Sequence, residues 1–145
     1  MKNIIKKTRS FIIKTELRNK DARGSILSIC DTHCKNVSII NCKKNTIRSN
    51  HYHKKDYHLM YVVKGQIDYF YKTIKGKKMN YLKVKKDNLI FTPPMEVHAT
   101  YFPKDTVLIV SSKNPRDQAT YEKDTVRVEL INKKNIKHLL KKNGW

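Results

Sequence analysis

Three imidazoles fall within eight residues in the stretch Arg48-Ser-Asn-His-Tyr-His-Lys-Lys-Asp-Tyr-His58, and a fourth, His98, follows a Pro93-Pro94 turn far downstream. His51 and His53 stand at i and i+2, so on an extended strand both project from the same face. Neutral imidazole does two kinds of work near neutral pH. It takes and returns protons, and it ligates transition metals. The spacing alone leaves both open: His51 and His53 as a base and its partner, or His51, His53, His58 and His98 around a Zn, Fe, Ni or Cu ion. His33 and His138 read as incidental.

Proton abstraction beside a carbonyl makes an enediolate, which needs a donor nearby. Tyr69 and Tyr71 share one face of an apolar strand and are the expected donors, whereas alternation turns Tyr52 away from His51 and His53. Arg23, Arg48 and Lys54 are candidate contacts to an anionic substrate, with His98 as a further substrate contact. Cys30 and Cys34 flank His33, but the three cysteines include no second pair, so they read as small buried hydrophobes of a reducing compartment.

The elements that must hold these groups are short strands. Ser10 to Leu17, Ser25 to Cys30, Asn36 to Cys42, Tyr57 to Val63, Gln66 to Thr73, Met79 to Val84, Leu89 to Thr92, Val97 to Phe102, Thr106 to Ser111 and Thr125 to Ile131 carry alternating or β-branched patterns. Turn formers separate them: residues 18–24, Lys43-Lys44-Asn45, Gly65, Gly76 and Asp87-Asn88. Such spacing predicts an all-β sandwich or barrel. No helical period is visible in the middle of the chain, and only Lys133 to Lys142 is expected to form a helix, closed by Asn143-Gly144.

The chain has 145 residues, which suits a single domain. No run is long and apolar enough for a transmembrane helix, and the first residues lack the apolar core of a signal peptide, so a cytoplasmic protein without membrane contact is expected. The net charge of +20 comes mostly from 26 lysines scattered through every segment, against six arginines. A base-reading surface would favour clustered arginine, so nucleic acid ranks last among partners, while anionic small molecules remain favoured.

The histidine stretch resembles the first motif of the cupin superfamily, in which a glycine, His-x-His, a glutamate and a second glycine recur at fixed spacing. Asn45, His51, His53, His58 and Gly65 stand at those positions. Asp87, Pro93, Met95, His98 and Phe102 match the spacing of the second motif. Glycines are replaced at Asn45, Asp87 and Met95, glutamate by His58, and asparagine by Phe102. Asp21-Ala-Arg-Gly24 and Ile47-Arg-Ser-Asn-His-Tyr-His-Lys54 further resemble small cupins of nucleotide-sugar pathways, the dTDP-4-keto-6-deoxyglucose 3,4-ketoisomerases, the dTDP-4-dehydrorhamnose 3,5-epimerases and the cupin domains of capsular-polysaccharide enzymes. Ser49 stands where those proteins carry a glycine, and the tail from Asp117 to Val128 resembles their endings. The resemblance implies a jelly-roll fold, an isomerase or epimerase of dTDP-sugars in polysaccharide biosynthesis, and no required cofactor. In that reading His51 is the general base, His53 its partner and Arg48 a diphosphate contact. It also implies a homodimer, for which Phe11, Ile12 and Ile13 are expected to be exposed. The alternative is a metal-dependent cupin, an oxygenase or a ligand-binding protein, using the four histidines.

Overall fold

Strands whose two faces are both apolar need cover on both sides, and the fold supplies it. The structure, a computed structural model, describes residues 3–144. After a 3-10 turn at Ile4–Lys6, the strands run β1 Phe11–Ile13, β2 Glu16–Asp21, β3 Gly24–Ser28, β4 Asn36–Cys42, β5 Thr46–His53, β6 His58–Lys64, β7 Gln66–Thr73, β8 Asn80–Lys85, β9 Leu89–Thr92, β10 Glu96–Phe102 and β11 Thr106–Ser112. Helix α1 Gln118–Asp124, β12 Thr125–Arg127 and helix α2 Ile136–Lys142 complete it.

Two five-stranded antiparallel sheets face each other in the orders β1-β9-β6-β11-β4 and β12-β5-β10-β7-β8, with β2-β3 as a separate hairpin. The architecture is the all-β cupin jelly roll. Between the sheets lie Met60 and Val62 from β6, Ile67 and Tyr69 from β7, Phe102 from β10 and Leu108 and Val110 from β11. The alternate residues of the second sheet, Phe70, Val97 and Ala99, are covered from outside by Leu130, Ile131, Ile136 and Leu140. On the far side of the first sheet, Leu59, Leu89 and Phe91 cluster with Tyr57, and Phe11 and Ile13 of the neighbouring β1 pack beside them. The helix pattern therefore supplies a wall for the sheet.

Several sequence expectations change. The segment from Ser10 to Leu17 breaks into β1 and β2, so that β1 can pair with β9 while β2 pairs with β3. Pairing extends through residues 18–21, leaving only Ala22 and Arg23 as the turn. Phe11 and Ile13 are half-buried, and Ile12 alone of the three faces out. The strand expected over Thr125 to Ile131 stops at Arg127, because Asn50 takes the backbone of residues 128–131 instead. Helix α1 was invisible to periodicity. It has only two turns, started by the Asp117 carboxylate accepting from Thr120 N at 3.0 Å. Likewise α2 begins at Ile136, three residues later than expected.

Four of the positions where related motifs carry glycine lie in the left-handed region: Asn45 (φ 62°), Ser49 (68°), Asp87 (67°) and Met95 (60°). The backbone conformation has been kept although the residue that favours it has gone. Asn and Asp tolerate the region, but Met has no local hydrogen bond to offer in exchange. Met95 is 54% exposed, and its backbone N–H donates to the His53 carbonyl at 2.7 Å. Replacing Met95 by Gly is expected to stabilise the fold by about 0.5–1 kcal/mol, the left-handed cost less the added flexibility of glycine. Thermal denaturation should show a midpoint about 2–4 °C higher; an unchanged or lower midpoint would mean that the side chain earns its place by packing.

Candidate active site

Plain alternation along β5 would put Arg48 and His51 on opposite faces, since three residues separate them. The strand contains a bulge. His98 pairs with His51, but the next residue, Ala99, pairs with Ser49, so Asn50 is extra. Ser49 and Asn50 both adopt positive φ, 68° and 56°. The added residue restores the phase. Arg48 and His51 now face the interior together, while Ile47 and Tyr52 pack outside with the α2 cluster. Asn50 is locked there by its side chain, which accepts from Leu130 N at 2.9 Å and Ile131 N at 3.0 Å and donates to the Ile131 carbonyl at 2.9 Å.

All four histidines project between the sheets. Ring centroids are 4.6 Å apart for His51 and His53, 4.8 Å for His51 and His98, and 4.6 Å for His53 and His58. His51 lines a cavity of about 200 Å³ together with His58, Arg48, Arg116, Arg127 and Tyr121, over an apolar floor that includes Met60 and Leu108. Three of the chain's six arginines thus meet at one cavity, whereas its lysines do not. Arg48 and Arg116 have no carboxylate partner among the described residues, and Arg127 is held bidentately by Glu122 at 2.9 and 2.7 Å.

Behind His51 the ring nitrogens are ordered by carboxylates. Asp124 Oδ2 lies 3.3 Å from His53 Nδ1, and the same carboxylate accepts from Lys55 N and Asp56 N. Asp56 Oδ2 lies 3.0 Å from His58 Nε2. With Nδ1 facing Asp124, His53 turns Nε2 inward, where it is buried without a hydrogen-bond partner among the described residues. His98 rests its Nδ1 on the Glu96 carbonyl at 3.2 Å, and Tyr69 stacks on its ring at 5.8 Å.

Burial first, then the His98 and His53 imidazoles, push the His51 pKa down to about 2. Burial and the neighbouring imidazoles of His58 and His98 take His53 to about 3, against the pull of Asp56. His98 falls to about 3, chiefly by burial. Burial alone would raise Asp56, but its hydrogen bond with His58 holds it below the ordinary carboxylate value. The opposite occurs at Glu96, which burial drives up to about 7 despite hydrogen bonds from Ser10. The three imidazoles are therefore neutral and in their base form at any physiological pH.

The other expected site residues are placed elsewhere. Arg23 sits on the β2-β3 hairpin, paired with Asp21 at 2.7 Å, and lines a different recess. Lys54 directs its amine to the Lys123 carbonyl at 2.9 Å, outside the cavity wall. His98, 1% exposed, supports the other rings from behind and offers no surface to a substrate. Tyr69 is wholly buried, its hydroxyl taken by Ser10 and Thr92, and Tyr71 packs beside it away from the cavity lining. Sequence reading missed Asp56, Arg116, Tyr121, Asp124 and Arg127. Asp56, two residues before His58, was the legible one; the rest depend on how α1 returns to β5.

A family model described as the polysaccharide biosynthesis C-terminal domain matches residues 19–114. The chain belongs to that family. As a polysaccharide biosynthesis C-terminal domain it shares its fold with a sugar 3,4-ketoisomerase from Thermoanaerobacterium thermosaccharolyticum solved in complex with TDP, at TM-score 0.67 and 18% identity over 95% of this chain and 98% of that one. A TDP-fucose-3,4-ketoisomerase from Campylobacter jejuni gives TM-score 0.67 and 18% identity over 82% and 89% of the two chains. The capsular polysaccharide assembling protein CapF from Staphylococcus aureus gives 0.61 and 21% over 81% of this chain, which spans only 32% of CapF. No curated protein matches the chain.

The depressed imidazoles make the fold acid-sensitive. Each has a folded pKa below the unfolded value of about 6.5, so stability is whole above that pH and is lost as pH falls toward about 3, by up to about 1.4 kcal/mol per unit for each ring. Glu96, raised from its unfolded value, acts in the opposite sense between pH 4.5 and about 7, but it is one group against three. Thermal midpoints measured from pH 8 to 4 should begin to fall below about pH 6.5. The His98→Gln variant should show a shallower fall, and equal slopes would count against a buried neutral His98.

Proposed function

We propose that the protein is a nucleotide-sugar 3,4-ketoisomerase acting on a dTDP-4-keto-6-deoxyhexose in the cytoplasm. The observation that carries the reading is a neutral His51 at the wall of a cavity rimmed by Arg48, Arg116 and Arg127. At about 200 Å³ the cavity falls below the roughly 300–1,000 Å³ of pockets that enclose a drug-sized ligand, so it suits the sugar ring alone. The diphosphate then lies across the rim, where guanidiniums form charge-assisted bonds to phosphate oxygens. Several fold neighbours are themselves 3,4-ketoisomerases, which favours this reaction over 3,5-epimerisation.

In this mechanism His51 takes the proton from the carbon beside the carbonyl, and the electrons of that C–H bond form the enediolate. Charge arriving on the imidazole is felt by His53, and Asp124 holds His53 in the tautomer whose inner nitrogen is free. Returning the proton to the former carbonyl carbon completes the exchange of ketone and alcohol. General base catalysis of this kind supplies on the order of 10²- to 10⁴-fold.

One observation favours a second reading. Ring nitrogens of His51, His53 and His98, one from each, lie within 4.8 Å of one another, and His53 Nε2 is buried with no hydrogen-bond partner among the described residues. A carboxylate behind a ligating histidine is also the usual support for a metal. His51, His53 and His98 would hold a transition ion, which supplies Lewis-acid polarisation of a carbonyl. His58 is committed to Asp56, and the four rings form two overlapping groups, His51-His53-His98 and His53-Asp56-His58.

The test is NMR of dTDP-4-keto-6-deoxyglucose with the protein in deuterated water. The expected result is a 3-keto product, with deuterium at carbon 4 in whatever share of turnovers the His51 proton exchanges with solvent before its return, formed about 10²- to 10⁴-fold more slowly in the His51→Asn variant. Inversion at the carbons flanking the ketone would indicate an epimerase. Activity lost on chelation and restored by one transition ion per chain would favour the metal reading, and neither product nor exchange under any condition would remove the isomerase.

We further propose that the chain acts as a homodimer. Val37 and Ile39 are 61% and 70% exposed on the outer face of the edge strand β4, and Leu17 and Ile26 stand out from the β2-β3 hairpin. Light scattering should give twice the 17.1 kDa of the chain. Substituting Ile39 by Lys should shift the mass toward the monomer, and a monomeric wild type would overturn the proposal.

A further inference from the structure

Moving a ketone from one carbon to its neighbour requires two separate proton transfers. One proton passes from carbon 3 to carbon 4, and another from the 3-hydroxyl oxygen to the 4-oxygen. An imidazole occupied with the carbon proton cannot carry the oxygen proton in the same step, so a second group that can both give and accept must face the cavity. This inference rests on the ketoisomerase reading.

Hydroxyls are the natural carriers, and among the described residues the cavity is lined by those of Ser49, Thr100 and Tyr121. A phenol releases its proton far more readily than an alkyl alcohol. The geometry points to Tyr121. Its ring stands edge-on to both working imidazoles, with centroids 5.7 Å from His53 and 6.2 Å from His51. Its hydroxyl has no hydrogen-bond partner among the described residues, in contrast to Tyr69, whose hydroxyl is committed to Ser10 and Thr92. The Arg116 guanidinium lies 5.6 Å over the ring and stabilises negative charge arriving there.

The placement is fixed by α1. Thr125 Oγ1 donates to the Tyr121 carbonyl at 2.7 Å, and Asp124 ties the end of the helix to the backbone N–H groups of Lys55 and Asp56. Tyr121 is thereby coupled to the same carboxylate that orients His53.

The step balances without a co-reactant. As His51 removes the carbon 3 proton, the C–H electrons form the C3=C4 double bond, the carbonyl electrons move to the 4-oxygen, and Tyr121 gives that oxygen its proton. The phenolate then takes the proton of the 3-hydroxyl as C3=O forms, and the double-bond electrons collect the proton from His51 at carbon 4. Tyr121 and His51 both end as they began.

The Tyr121→Phe variant tests this, because it keeps the ring and its contacts and removes only the hydroxyl. With dTDP-4-keto-6-deoxyglucose, kcat should fall on the order of 10²- to 10³-fold, within the range general acid–base groups supply. KM, dTDP affinity by calorimetry and the melting midpoint should stay within about threefold or 2 °C of the wild type. A solvent isotope effect on kcat, expected where the oxygen proton moves in the rate-limiting step, should differ between the wild type and the variant. A variant that keeps kcat within about threefold overturns the proposal, as does one that loses dTDP binding in step with activity. A wild type inactive on every 4-keto nucleotide sugar removes the ketoisomerase reading itself, and Tyr121 with it, and is distinguished by needing no variant to be seen.

Discussion

The site depends on one extra residue. Inserting Asn50 into β5 opposite the Ala99–His98 step converts an odd spacing into an even one, and only then do Arg48 and His51 share the interior. Two consecutive non-glycine residues with positive φ are costly, of order 1–3 kcal/mol each when not compensated. Compensation is visible: three hydrogen bonds from the Asn50 amide to residues 130 and 131 draw the C-terminal stretch against the sheet and close the outer core. The bulge, the end of β12 and the seating of α2 are therefore one arrangement.

A second constraint is electrostatic. His51, His53 and His98, packed ring to ring, cannot carry charge together, and burial together with the repulsion of neighbouring imidazoles keeps the three neutral. Two buried carboxylates, Asp124 and Asp56, stand behind them, each with backbone N–H donors of its own, so neither is an unsatisfied charge. The result is a cavity lined by uncharged His51 on one side and by Arg48, Arg116 and Arg127 on others. Such an arrangement separates the place where anionic charge is bound from the place where protons move.

Much of this was legible in the sequence, and the rest had a physical reason to be hidden. Alternation gave β4, β7 and β9 with their bounds, and the two motif spacings identified His51, His53, His58 and His98 as interior neighbours. Arg48 was named as a substrate contact by resemblance and does line the cavity, but its orientation follows from a bulge that no pattern of polarity reveals. Tyr69 and Tyr71 were assigned to the site because they face inward, yet inward positions in a jelly roll are mostly packing, and Tyr69 is spent on Ser10 and Thr92. The tail from Asp117 to Val128 was noted by resemblance, but its helix escaped because two turns carry too little period to recognise. Its meeting with β5 spans about seventy positions of sequence, as between Lys55 and Asp124.

Ser10 gives its backbone N–H and hydroxyl to Glu96, 86 positions later, and β1 pairs only with β9. Phe11–Ile13 therefore leave the ribosome well before the strand they must pair with. Until Leu89 to Glu96 have been made, Phe11 and Ile13 have no native surface to cover, and the strand edge awaiting them is absent. Loop closure over such separations slows folding, and an unpaired apolar edge is the species most prone to associate wrongly. The contacts that join β1 to the sheet in space thus fix an order in time, in which Ser10 to Ile13 wait for their partners until Leu89 to Glu96 have been made.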